Sequence, residues 1–185
     1  MVGTHMLRTI IVSALVLGIM TWGACQLYTD LKEPPDTVEQ VDLKRYSGKW
    51  YEIAFFPAPF QKDCYCTTAT YADKEEYVEV LNACRKGSPT GPLEVARANA
   101  NPVPDTGNAQ LKVQFFWPFK GDYWVVALDP DYRYAMVGHP AKKYLWILSR
   151  TPAMDEGTYQ SLVAVARSKG YEVDKLRRAV QTCGE

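Results

Sequence analysis

The sequence predicts an all-β fold: an eight-stranded antiparallel up-and-down β-barrel with one C-terminal α-helix packed outside. Three observations carry this. Eight short strand-like runs lie between Gly48 and Arg150, most of them separated by tight turn chemistry. Several runs are apolar on both faces, so the sheet needs an interior and a partner outside it. One amphipathic helical stretch follows the last run, and such a helix is stable only on a surface.

The first run, Gly48–Pro57, is rich in aromatic and branched residues and opens on a glycine, where the backbone can bend or be approached closely. Within it Trp50 needs both a packing surface and a partner for its N–H. Arg150 ends the last run, and an Arg across a Trp face is worth ~0.5–2 kcal/mol. The next runs are Cys64–Tyr71, Tyr77–Cys84, Pro92–Ala98, Ala109–Trp117, Asp122–Asp129, Arg133–Gly138 and Tyr144–Arg150. Breaks such as Lys86-Gly87-Ser88-Pro89 and Asp129-Pro130-Asp131 carry turn residues, which favours a meander over βαβ units. Two connections are longer, Ala58–Asp63 and Asn99–Asn108. In the fifth run Leu111, Val113, Phe115 and Trp117 share a side and Phe116 opposes them. In the sixth, Tyr123, Val125 and Ala127 oppose Trp124, Val126 and Leu128. The helix spans Met154–Lys169, with Asp155 as N-cap, Gly170 as stop, and Tyr159, Leu162, Val163 and Ala166 in one stripe. Closing eight strands removes exposed edges and leaves room for side chains or one small ligand.

Composition sets limits. With 21 basic and 21 acidic residues the net charge is zero, which gives no electrostatic case for nucleic acid. The two histidines, His5 and His139, lie far apart in the chain, so neither a His-based metal site nor a Ser-His triad is supported.

The N-terminus reads as an address, and residues 1–25 as a signal segment. Arg8 precedes an apolar stretch from Thr9 to Thr21, and Gly23-Ala24-Cys25 supplies small residues before a cysteine. That resembles a bacterial lipoprotein processing site, with Cys25 as the lipidated first residue; Trp22 departs from its pattern. Gln26 follows, where Asp is associated with inner-membrane retention, so the resemblance implies the outer membrane, lipid-anchored and facing the periplasm. Residues 26–40 read as a linker and 41–185 as the domain. Cys64, Cys66, Cys84 and Cys183 remain, an even set that reads as two disulfides with three pairings open. The second-to-third hairpin brings Cys64 and Cys66 near Cys84, and Cys183 is placed to pin the tail to the barrel.

Three motifs in order now resemble the lipocalin family. They are Gly48-Lys49-Trp50, then Pro130-Asp131-Tyr132-Arg133 between the sixth and seventh strands, then Arg150 after Leu145-Trp146-Ile147-Leu148-Ser149. The resemblance is to bacterial outer-membrane lipoprotein lipocalins and to apolipoprotein D. It implies a barrel closed near Trp50 and Arg150, with Gly48, Asp131 and Tyr132 as further closing residues, and open at the other end. It implies a fatty acid or lysophospholipid as ligand, a membrane as partner through the lipid anchor, no cofactor, and homodimerisation left open. Apolipoprotein D implies the pairing Cys66–Cys183, which leaves Cys64 for Cys84.

The main reading is therefore a non-catalytic carrier with an apolar cavity. Candidate wall residues are Phe55, Phe115, Trp117, Tyr123 and Trp124; the opposite parities of Tyr123 and Trp124 mean that not all can face inward. A second reading is an enzyme on the same barrel, with Cys64 or Cys66 as nucleophile and Glu52 or Asp63 as acid or base. A third is a haem or tetrapyrrole carrier with His139 as axial ligand.

Overall fold

The computed structural model describes residues 33–183. The expected signal segment, with Cys25, lies outside the described residues. The domain opens with a one-turn helix α1 (Leu43–Tyr46), whose N-cap Asp42 accepts from the backbone N–H groups of Lys44 and Arg45. Eight strands follow: β1 (Gly48–Phe55), β2 (Cys64–Asp73), β3 (Val78–Lys86), β4 (Leu93–Pro102), β5 (Gln110–Phe116), β6 (Phe119–Leu128), β7 (Tyr134–Gly138) and β8 (Leu145–Ser149). Helix α2 (Glu156–Ser168) comes next, then a two-residue strand β9 (Arg177–Arg178). Each of the eight expected runs contains a strand, with ends shifted by a few residues. β4 extends through residues read as loop, and β6 starts inside residues read as turn. β9 was not foreseen, because two arginines carry no strand pattern.

Neighbouring strands pair antiparallel in the order β2-β3-β4-β5-β6-β7-β8-β1-β9, and an additional β1–β2 pairing closes the barrel. Up-and-down connection puts α1 and the β2–β3, β4–β5 and β6–β7 connections at one end. The β1–β2, β3–β4, β5–β6 and β7–β8 connections lie at the other.

The two-sided apolar strands resolve into two cores. Inside the barrel are Trp50, Tyr71, Val78, Val80, Ala98, Ala100, Leu111, Val125, Val137 and Leu148. Outside, under α2, are Ile53, Val126, Met136, Ile147, Tyr159, Leu162 and Ala166. Strict alternation fails at two bulges. In β6 the register shifts between Val125 and Ala127, so Ala127 joins the outer core and Leu128 the inner one, the reverse of the expected parity. In β1 the register shifts between Glu52 and Ala54, which sets Phe55 opposite Trp146.

Asp155 caps α2, accepting from the Thr158 N–H at 2.9 Å, as its position ahead of the apolar stripe predicts. The second half of the expected linker lies on the barrel: the Val38 N–H donates to the Val125 carbonyl at 2.9 Å, and just after the linker the Val41 N–H donates to the Gly107 carbonyl at 2.8 Å. Gly107 has a φ of +57°, and a Cβ there would collide with the Glu39 carbonyl, so glycine lets this segment pass. Two disulfides join Cys64 to Cys84 and Cys66 to Cys183.

Candidate ligand-binding site

The floor of the barrel is built from sequence-distant residues. Trp50, fully buried, donates its indole N–H to the Tyr46 carbonyl at 2.8 Å. The Arg150 guanidinium lies 3.8 Å from the Trp50 ring centroid. Its nitrogens donate to the carbonyls of Tyr132, Lys49, Arg45 and Tyr46 at 2.7–3.2 Å. One side chain thus ties α1, β1 and the β6–β7 turn together. Gly48 has a φ of +97°, and a Cβ there would sit 3.3 Å from Arg150 Nη1. Tyr132 accepts from the Asp42 N–H through its hydroxyl. Asp131, by contrast, is exposed, and the turn is held by Asp129, which the sequence reading placed in the turn without giving it a closing role. Asp129 is 3% exposed and accepts from the Asp131 and Arg133 backbone N–H groups and from the Arg133 guanidinium. That guanidinium holds its carboxyl well below the usual range.

Above the floor stands a tyrosine ladder. The Tyr46 and Tyr123 hydroxyls are 2.8 Å apart, and Tyr123 donates to Tyr71 at 2.9 Å. Burial keeps all three neutral, pushing Tyr71 up to about 12. Glu52 lies one step above Trp50 on the same face of β1, opposite Leu148 of the inner core. It is 4% exposed, and both carboxylate oxygens lie 2.6 Å from Gln61 Nε2. Gln61 Oε1 in turn accepts from the Trp146 indole at 3.1 Å. Burial pushes the Glu52 carboxyl up to about 8, and the Gln61 hydrogen bond offsets only part of this.

Toward the other end the interior opens. β3 and β4 pair in unbroken register, so Glu94, Ala96, Ala98 and Ala100 share one face of β4. Ala98 and Ala100 are buried in the inner core, whereas Ala96 and Glu94 are exposed. β4 pairs with β5 only from Asn99 to Pro102, so the wall parts above Asn99 and Ala96 meets solvent there. The rim is apolar: Phe60, Leu93, Phe116 and Phe119 are all exposed.

The five predicted wall residues separate accordingly. Tyr123 faces inward on the ladder, and Phe55 lies opposite Trp146, which packs on the inner core. Phe115 is 43% exposed at the bulged end of β5, near the rim. Trp124 is not a wall residue: it packs against the outer core beneath α2, because its parity is that of Val126. Trp117 is not one either, standing 86% exposed in the β5–β6 turn. Trp146, Ala96 and Gln61 were not foreseen. Trp146 could have been found from its parity with Leu148, but Gln61 sits in a loop and carries no periodic signal. All four cysteines among the described residues are in disulfides, so Cys64 and Cys66 carry no thiol nucleophile. His139 does not face the lumen; its ring lies 4.0 Å from Asp122, whose partner Lys112 opposes it on the outer side of the hairpin.

The comparisons with known proteins agree with this geometry. A family model described as a Lipocalin-like domain matches residues 41–181. Temperature-induced lipocalin-1 of Arabidopsis thaliana is 41% identical over 160 residues, covering 82% of this chain and 85% of that protein. Outer membrane lipoprotein Blc of Escherichia coli (strain K12) is 41% identical over 141 residues, covering 75% and 78%. Apolipoprotein D of Bos taurus is 34% identical over 151 residues, covering 77% and 78%. Among solved structures, insecticyanin from the tobacco hornworm Manduca sexta superposes with a TM-score of 0.64 at 24% identity, covering 79% of this chain and 85% of its own, and shows the fold alone. The closed floor, the three motifs that build it and the matches over most of its length establish that this chain belongs to the lipocalin family.

Proposed function

We propose that this lipocalin is a non-catalytic carrier in the cell envelope that holds a fatty acid or lysophospholipid in its barrel. One observation carries the reading: eight strands close into a barrel whose floor is sealed by Trp50 and Arg150, while the inner face of β4 passes from buried Ala100 and Ala98 to exposed Ala96 away from that floor. Burying an acyl chain there supplies about 25 cal/mol per Å² before ordering costs. Phe55, Tyr123, Trp146 and, at the rim, Phe115 are the proposed wall. The exposed Trp117 suits a lipid–water interface, where amphipathic rings gather, and Phe60, Phe116 and Phe119 add apolar surface beside it. An outer-membrane lipid anchor at Cys25 is supported by the Blc relatives, which are named outer membrane lipoproteins.

Titration of intrinsic tryptophan fluorescence with lysophosphatidylcholine or palmitate tests carriage. The expected result is a saturable change at one ligand per chain; folded protein with no saturable change would count against it. Mass spectrometry of envelope fractions tests the anchor: the expected species starts at an acylated Cys25, and a soluble, unmodified chain would sink it.

A further inference from the structure

We infer that the lumen carries a seat for a positively charged ligand end, with the Glu52 carboxylate as counter-charge and the surrounding aromatic rings as its walls. The inference rests on the lumen being the ligand site and adds a further ligand class to the lipids proposed for it, a long-chain ammonium amphiphile entering head-first where a fatty acid would enter tail-first.

Glu52 is a buried carboxylate inside an apolar barrel, and among the described residues no Lys or Arg pairs with it. A carboxylate offers about four acceptor positions, and one amide nitrogen fills two at most. The lone partner, Gln61, comes from the short loop between β1 and β2 at the mouth rather than from the barrel wall. An incoming group can displace it without disturbing a strand. The floor beneath is aromatic: Tyr46 and Trp50 have centroids 4.9 Å apart, Tyr46 and Tyr71 5.3 Å, and Tyr71 and Tyr123 5.9 Å. Aromatic rings near a carboxylate suit an ammonium group, and Tyr71 is the ring that lies close enough to feel the Glu52 charge.

The groups facing Glu52 decide which end of an amphiphile fits. Tyr71 on β2 feels its charge and, with Tyr123 on β6 and Tyr46 on α1, stays neutral. Leu148 on β8 opposes it, and Gln181 of the tail touches only its backbone carbonyl. Arg150 lies beyond the Trp50 ring, committed to four carbonyls. Among the described residues no cation is therefore available beside Glu52 to receive an anionic head, and a ligand carboxylate there would place two acids together. An ammonium is matched. Without such a ligand the Glu52 carboxyl holds a proton near neutral pH, since burial pushes it up to about 8. On binding, R–NH₃⁺ takes that proton's place, the carboxylate ionises, and one proton passes to solvent for each ligand bound.

The test is calorimetry on the purified full chain with dodecylamine, dodecanol and dodecanoate, in buffers of different ionisation enthalpy. At pH 6–7 dodecylamine is expected to bind at least about tenfold more tightly than dodecanoate. It should release close to one proton, and that release should vanish by about pH 9.5. Glu52→Gln should abolish the proton release and weaken dodecylamine about tenfold, with dodecanol changed less than about twofold. Dodecanoate binding as tightly as the amine, or amine binding without proton release, overturns the inference while leaving the carrier intact. If none of the three ligands binds, both fall. The proton count on the unaltered protein decides the matter even if the variant does not fold.

Discussion

Arg150 combines two roles that are hard to separate by eye. It stacks on Trp50, and it donates to four carbonyls from three segments. A planar guanidinium can do both at once and an ammonium cannot. Arg150→Ala is expected to cost about 2–4 kcal/mol in urea unfolding, and Arg150→Lys to recover less than half of that. Glu52 makes a prediction of the opposite kind. Its folded carboxyl is raised to about 8, above its unfolded value, so the folded state holds a proton that the unfolded chain has released. Stability should therefore fall as pH rises from about 4.5 to 8. Glu52→Gln should flatten that slope and raise the melting temperature at pH 8 relative to wild type, with little gain at pH 5. Trp50 and Arg150 could be matched from sequence because each stands at the edge of a strand-like run with a characteristic neighbour. The Glu52–Gln61 contact could not, since nothing in a loop's composition says which side chain turns inward.

At the scale of elements, the strands and α2 were readable because their periodicities are strong. Asp155 before the Tyr159-Leu162-Ala166 stripe marks both the start and the buried face of the helix. Asp155→Ala should cost about 1 kcal/mol and Leu162→Ala about 2–5 kcal/mol, measured by thermal unfolding. What the periodicity concealed were the bulges. A single extra residue near Val126 moves Ala127 and Leu128 to faces opposite those that alternation assigns. The error over Trp124 has a related cause: apolar residues on both faces of β6 give no clue to which core is which. Trp117 was misplaced because a run of aromatics reads as core, whereas here it continues past the last strand pairs and into a turn.

For the molecule as a whole, the barrel seam is its least uniform part. β1 pairs with β2 only over Gly48–Tyr51, at the floor end. Higher up, Ala54 and Phe55 pair instead with Arg178 and Arg177, the Ile53 carbonyl accepts from Ala179, and Gln181 bridges the carbonyls of Glu52 and Thr67. Cys66–Cys183 holds this tail in place. The upper wall is thus completed by a borrowed slat riveted at one point, and cutting the rivet should leave a lengthwise gap beside the lumen. Cys183→Ser is expected to speed release of a bound fluorescent lipid in stopped-flow exchange and to expose residues 177–183 to trypsin, while the Trp50 floor stays shut. A cup of this kind would lose its cargo through the side before it lost its base, and an oxidising compartment is what keeps it watertight.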